Sequence, residues 1–105
     1  MNIRAMLKIT IQEDTDLVTM KLEGKLAGPW VDEVNRSWRS VEPLIGSKEL
    51  NLDIRSVSFA DNRGRQLLRE IYDKTRAAFL TDSPLTKYYA EQAMQQIAMD
   101  QLKGA

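Results

Sequence analysis

The amino-acid sequence predicts a small α/β domain: a mixed sheet of about four strands with helices packed on one face. The 105 residues suffice for one domain with one modest core. Three of the four predicted strands alternate apolar and polar residues, whereas strands covered on both faces read as continuous apolar runs. We therefore expect the second face of the sheet to meet water or a partner, and the element order to be β-β-α-β-α-β-α.

Three strands are predicted from runs of period two at residues 7–11, 18–22 and 50–54. The short apolar run at 77–80 predicts the fourth strand. Val57 and Phe59 extend the apolar pattern of the third run beyond Ser56. The polar turn at 12–16 predicts a hairpin of the first two strands.

The first helix is predicted from apolar residues at helical spacing after Pro29. Proline suits the first turn because its missing donor costs nothing there. Pro43 and Gly46 are expected to end the helix. Trp30 and Trp38 lie eight residues apart on one stripe, which favours a place in the core over a ligand platform.

Two further helices are predicted from capping residues followed by apolar stripes. Asp61 is a good N-cap for the second helix, and Ser83 for the third, with Pro84 at its first position. The residues of the third helix that are expected to face inward are Leu85, Tyr89, Ala93 and Ile97. The domain is expected to span 7–97, with flexible termini at 1–6 and 98–105.

Composition excludes several function classes. Fifteen basic and fifteen acidic residues give zero net charge, and cysteine and histidine are absent. Thiol chemistry, disulfides, Cys/His zinc sites and histidine triads are therefore impossible, and no metal or cofactor is expected. A neutral chain lacks the basic surplus of a nucleic-acid binder. No run approaches the roughly 20 apolar residues of a membrane span, and no signal-peptide core is present, so we expect a cytoplasmic protein.

Enzymatic chemistry finds no support in the carboxylates. Asp53 and Asp61 are eight residues apart, one in a strand and one capping a helix, and no base or nucleophile pairs with them recognisably. The run Asp-Asn-Arg-Gly at 61–64 is too short for a phosphate-binding loop. The chain is therefore predicted not to be an enzyme.

Two segments resemble the STAS domains of the anti-sigma factor antagonist family. The run Val-Thr-Met-Lys-Leu-Glu-Gly-Lys-Leu at 18–26 resembles the second strand of that family. Residues 50–64 resemble its signature, in which a strand ending in Asp-Leu and a small turn lead to Val, an aromatic residue and then Asp-Ser-x-Gly at a helix start. The resemblance covers roughly residues 7–95 and implies a single STAS-like domain.

The resemblance implies a bacterial regulator of transcription. Members of the family bind an anti-sigma factor that is also a serine kinase, and thereby release the sigma factor. The kinase then phosphorylates the serine of Asp-Ser-x-Gly. The added charge of about −1.5 to −2 at the rim of the docking surface breaks the complex.

This chain departs from the family at the phosphoacceptor. Asn62 stands at the position of the serine, and an amide accepts no phosphate, so the phosphorylation switch is expected to be absent. Its neutral side chain resembles the unphosphorylated, binding-competent state. Ala27, where many members carry Asp, and Arg65, where the family is usually apolar, are further departures.

The resemblance implies a partner-binding surface at the start of the second helix. Its expected residues are Ser58, Asp61, Asn62, Arg63, Gly64, Arg65 and Arg69. Each of these residues also has a purely structural interpretation. Asp61 is then only an N-cap, Gly64 allows close backbone packing, and the arginines form a solvated helix face. The arginines, with free N–H groups at the helix start, are also the expected place for an anion.

Three functions follow, and the sequence leaves the oligomeric state open. The first is a non-enzymatic regulatory module that binds a protein such as an anti-sigma factor. The second is a cytoplasmic accessory subunit of a transport complex, a role that similar single STAS domains also have. The third is a sensor of a nucleotide or another small ligand.

Overall fold

The computed structural model describes residues 7–104, with side chains described as far as Met94. In chain order the elements are β1 Leu7–Glu13, β2 Leu17–Leu26, α1 Pro29–Ile45, β3 Glu49–Ala60, α2 Asn62–Thr75, β4 Ala78–Leu80 and α3 Pro84–Gly104. This order confirms the predicted one. The proposed terminus 1–6 and Ala105 lie outside the described residues, and the boundaries at 7–97 stay a prediction.

The strands form one mixed sheet in the order β1-β2-β3-β4. The β1–β2 hairpin is antiparallel, whereas β2–β3 and β3–β4 are parallel. A parallel neighbour requires a crossover, and α1 and α2 provide the two crossovers. The C-terminal ends of β2 and β3 therefore lie side by side, and both lead into helices there.

The core lies between one face of the sheet and the helices. Alternate residues of β2 and β3 are buried on this face: Val18, Met20, Leu22, Leu50, Leu52 and Ile54. On β1 the intervening residues Lys8, Thr10 and Gln12 are exposed. The predicted α/β class with helices on one face is therefore confirmed.

Helix α1 extends past Pro43, which was expected from the sequence to help end the helix. Pro43 lies inside the helix, which ends at Ile45 before Gly46 at a φ of 28°. Proline removes one backbone hydrogen bond, but the buried side chain of Ile45 keeps the last turn against the core. Trp38 is buried as expected, and Trp30 packs against the core from a half-buried position.

Helix α3 is rotated slightly from the predicted orientation. Leu85 is 43% exposed, so its predicted inward position is wrong, while Tyr89 and Ala93 are buried as expected. Thr86 is buried instead, because its hydroxyl accepts from the backbone N–H groups of residues 82 and 83 at the helix start. The side chain of Ile97 lies outside the described residues.

Strand β3 carries two extra residues relative to β2. The register shifts between Lys21 and Glu23 and again between Gly24 and Lys25. Each shift reverses the alternation of faces along β3. Val57 is consequently buried, as the apolar pattern suggested, whereas Phe59 is 48% exposed.

Candidate functional site

The start of α2 is built around the carboxylate of Asp61. Its Oδ1 accepts a hydrogen bond from the backbone N–H of Gly64 (2.8 Å), and its Oδ2 accepts one from Gly28 (2.9 Å). The N–H of Asp61 donates to the carbonyl oxygen of Leu26 (3.1 Å). The predicted N-cap is therefore confirmed, and Asp61 also joins the end of β2 to the start of α2.

These bonds favour the ionised carboxylate. The backbone N–H groups of Gly28 and Gly64, with Arg63 nearby, lower the pKa of Asp61 from its ordinary value. Gly28 has a φ of 57°, in the left-handed region that favours glycine. A side chain at residue 28 would strain the loop that presents its N–H to Asp61.

Gly64 is buried where α2 meets the end of β2. A Cβ atom at this position would overlap the carbonyl oxygen of Leu26 and lie 2.9 Å from its Cγ. Glycine is therefore needed for close backbone packing, one of the two interpretations of the sequence. Gly64 therefore allows α2 to pack against the end of β2, and it has no side chain to present to a partner.

The three arginines predicted near the helix start have different surroundings. Arg63 donates to Oδ1 of Asp32 (2.7 Å) on α1 and to the carbonyl oxygen of Gly28 (3.5 Å). Arg65 donates to Oδ1 of Asn62. Arg65 and Arg69 line a cleft between α2 and α3. Arg63 is thus neutralised by an acidic neighbour, and the other two form the basic part of the surface.

The structure brings three of the predicted partner-binding residues, Asn62, Arg65 and Arg69, to the lining of one cleft. Asn62, exposed at the first position of α2, lies beside Asp61 and Arg65. Ser58 is exposed near the end of β3, and Arg69 follows one turn after Arg65. The candidate docking surface, called the docking surface below, is defined as the side chains at the end of β3 and on the first turns of α2: Ser58, Phe59, Asn62, Arg63, Arg65 and Arg69.

Phe59 is a residue that the sequence interpretation missed. It was assigned to the apolar pattern of β3, yet its ring is 48% exposed at the end of the strand. Strict alternation from Leu50, Leu52 and Ile54 gives the observed face for residue 59 only because the two register shifts cancel, and the same rule misplaces the buried Val57. The sequence of β3 alone therefore carries no consistent signal for the exposure of Phe59.

Asp53 lies apart from the docking surface. Its carboxylate accepts from Nε (3.0 Å) and Nη2 (2.8 Å) of Arg55, so both oxygens are bonded to one guanidinium. Arg55 lowers the pKa of Asp53, although burial acts in the opposite direction. The carboxylates of Asp53 and Asp61 are therefore engaged separately, and the described residues contain no group of three candidate metal ligands.

Comparison with solved structures identifies the fold. A crystal structure of an anti-sigma factor antagonist from Mycobacterium paratuberculosis matches with a TM-score of 0.65 and 14% sequence identity. The match covers 91% of this chain and 81% of the other. The fold is that of a STAS-like domain. No protein-family model and no curated protein sequence matches the chain.

The candidate site lies where β3 leads into α2. Asn62 begins α2 and is separated from the end of β3 only by Asp61, in the segment whose sequence resembles the family signature. Within the part of the chain that the structure describes, no helix is both long and apolar enough to cross a membrane.

Proposed function

We propose that this STAS-like domain is a non-enzymatic regulatory module that binds a protein partner in the manner of an anti-sigma factor antagonist. The partner contacts the docking surface at the end of β3 and the start of α2. The observation that carries the proposal is Asn62, an exposed neutral amide at the first position of α2 in a fold shared with an antagonist. The proposal includes a cytoplasmic role in bacterial transcription regulation.

The local structure supports a preformed binding surface. Asp61 links Gly28 and Gly64 through two hydrogen bonds, so the loop before α1 and the first turn of α2 hold each other in place. A preformed surface binds without the entropic cost of ordering a loop. Phe59 adds an exposed aromatic ring, and aromatic residues and arginine are enriched at the centres of protein interfaces.

The chemistry at residue 62 supports binding without a phosphorylation switch. The side chain of Asn62 has no hydroxyl to accept a phosphoryl group, and its Oδ1 accepts from Arg65. The surface therefore keeps the charge of the unphosphorylated state. We infer that the domain is permanently competent to bind and that control acts on its amount or on its partner.

The hydrogen bonds made by the carboxylates of Asp53 and Asp61 support a non-catalytic role. Both oxygens of Asp61 accept backbone N–H groups, and both oxygens of Asp53 accept from Arg55. A carboxylate whose pKa is lowered in this way is a poor general base at neutral pH. Neither side chain has a nucleophile beside it among its hydrogen-bond partners.

A pull-down from the native cell with wild type and Asn62→Asp tests the docking proposal. The new charge stands in part for a phosphate at the rim of the surface. A full like-charge contact costs several kcal/mol, but Arg65 beside residue 62 offsets part of the new charge, so we expect capture of the main partner to fall about tenfold. Gln12→Glu is the matched control, since it makes the same amide-to-carboxylate change on an exposed position of β1.

Equal capture by wild type and Asn62→Asp would exclude this surface as the interface. Mass spectrometry of the captured protein separates two of the functions suggested by the sequence. An anti-sigma-like kinase supports the regulatory role, whereas an ATPase with its permease supports an accessory subunit of a transport complex. Circular dichroism melts of all three proteins verify that each is folded.

A further inference from the structure

The cleft between α2 and α3 has a lining that suits a negatively charged group. It has a volume of about 140 Å³ and is lined by Asn62, Arg65, Gln66, Arg69 and Gln92. We call it the α2–α3 cleft. Arg65 and Arg69 are four residues apart on α2, so their side chains lie on one face of the helix. The lining contains two guanidinium groups and no carboxylate.

The positive charge of the α2–α3 cleft is not neutralised by the described side chains. Arg63, on the same helix, is paired with Asp32, and Arg55 is paired with Asp53. Arg65 donates only to the neutral amide of Asn62, and Arg69 forms no ion pair with a described side chain. Both cations are half-buried, which strengthens their attraction for an anion relative to fully solvated arginines.

A buried amide on the opposite wall also lacks a partner. The Oε1 atom of Gln92 is buried and receives no hydrogen bond from the described residues. Buried polar atoms are nearly always paired, and an exception indicates a missing partner. Because Oε1 is an acceptor, Gln92 supplies a polar wall of the cleft, and the attraction for an anion comes from Arg65 and Arg69.

The N-terminus of α2 is already occupied by a carboxylate. The N–H of Gly64 is already bonded to Asp61, whose carboxylate occupies the positive end of the helix. The donors that line the cleft are therefore side chains of the first two turns and not the backbone N–H groups that the sequence suggested. A volume of 140 Å³ is well below the roughly 300–1,000 Å³ of drug-sized ligand pockets. It suits one charged group and is too small to enclose a nucleotide.

We propose that the α2–α3 cleft is an oxyanion-binding pocket for a single carboxylate or phosphoryl group, held by Arg65 and Arg69. The planar guanidinium presents its donors in a fork that matches both groups. The ligand group is either a free small anion or an acidic side chain. The inference goes beyond the docking proposal, because the pocket binds such a group whether or not a protein partner carries it.

The test follows the Nε–Hε signals of the arginines by NMR while small anions are added at constant ionic strength. The probes are inorganic phosphate and N-acetylglutamate amide, with N-acetylglutamine amide as the neutral control. We expect saturable shifts of Arg65 and Arg69 with at least one anion and none with the neutral probe. The anion that saturates at lower concentration assigns the phosphoryl or the carboxylate group.

Variants show whether the binding belongs to this pocket. We expect Arg65→Gln and Arg69→Gln to raise the apparent Kd about tenfold or more, since each removes charge-assisted hydrogen bonds. Arg69→Lys keeps the charge but loses the fork, and should weaken binding less. Arg39→Gln removes an exposed arginine of α1 and should leave the Kd unchanged.

Two results would overturn the pocket. One is a linear, unsaturated response or equal shifts of Arg36 and Arg39, which indicate screening of surface charge only. The other is an unchanged Kd in both glutamine variants, provided that their spectra retain the dispersion of the folded wild type. Neither result bears on the pull-down with Asn62→Asp, so failure of the pocket and failure of the docking proposal are distinguishable.

Discussion

Replacing Gly64 with alanine should separate the packing role of this residue from its conformational role. In an ordinary exposed helix the change would stabilise the protein by about 0.8–1.0 kcal/mol, because alanine is the better helix former. Here the added Cβ would overlap the carbonyl oxygen of Leu26 and lie 2.9 Å from its Cγ. The obstacle is backbone, which cannot rotate away as the end of a side chain can.

The free-energy cost of Gly64→Ala depends on which part of the structure must move to accommodate the new Cβ. Relieving the overlap shifts the first turn of α2 away from β2, and overpacking of this kind costs about 1–3 kcal/mol. The shift also strains the bond from the Gly64 N–H to Asp61, and losing such a cap costs about 1 kcal/mol. After subtracting the gain in helix propensity, we expect a net loss of about 1–3 kcal/mol.

Urea unfolding monitored by circular dichroism measures this loss. A change of about 2 kcal/mol lowers the midpoint by about 1 M if the m-value is about 2 kcal/mol per M. Gln66→Ala is the control on the same helix, and as an exposed substitution it should change stability by less than about 0.5 kcal/mol. A Gly64→Ala protein as stable as wild type, or more stable, would refute the argument from close packing.

Three further substitutions test neighbouring parts of the structure. Asp61→Asn should lower the free energy of unfolding most at pH values above the unfolded-state pKa of about 3.9, and its difference from wild type should disappear as pH falls through the lowered pKa of the folded state. Urea midpoints at several pH values measure this difference, and a difference that does not depend on pH contradicts the expectation. Arg55→Ala removes the guanidinium from the buried carboxylate of Asp53 and leaves only the backbone N–H of residue 55 as its donor, so it should cost about 1–3 kcal/mol in urea unfolding. Asp53→Asn combined with Arg55→Ala should recover part of the loss, and no cost in the single variant contradicts the pairing. Phe59→Ala should change the unfolding free energy by less than about 1 kcal/mol, because the ring is exposed. As the loss of an interface anchor, the same substitution should reduce partner capture about tenfold or more. Unchanged capture would exclude Phe59 from the docking surface.

The order of elements was predictable because it depends on local signals. Alternation marks β2 and β3, and Asp61 and Ser83 precede their helices as caps. The missed details depend on contacts distant in sequence. The four-residue spacing of Leu85, Tyr89, Ala93 and Ile97 predicts an inward position for Leu85. In the structure the inward face of α3 instead includes Thr86 and Tyr89, and the hydroxyl of Tyr89 accepts from the N–H of residue 60.

The candidate site was predictable in part for the same reason. The position of Asn62 follows from the motif at 50–64, and the cap at Asp61 follows from the residue type alone. The exposure of Phe59 follows from two register shifts between β2 and β3, which a single strand does not encode. The place of Gln92 opposite the arginines depends on how α3 packs against α2, and the sequence had no signal for it.

The two residues at which the sequence departs from the signature that it resembles, Asn62 and Arg65, are bonded to each other in the structure. Arg65 donates to Oδ1 of Asn62 at the start of α2. A phosphoryl group at position 62 would lie beside this guanidinium, which would offset part of its charge and weaken it as a repulsive signal. In the proposed docking role, the amide at residue 62 and the arginine at residue 65 would therefore act in the same direction, since both would oppose control by phosphorylation and favour a fixed polar pair at the rim of the docking surface.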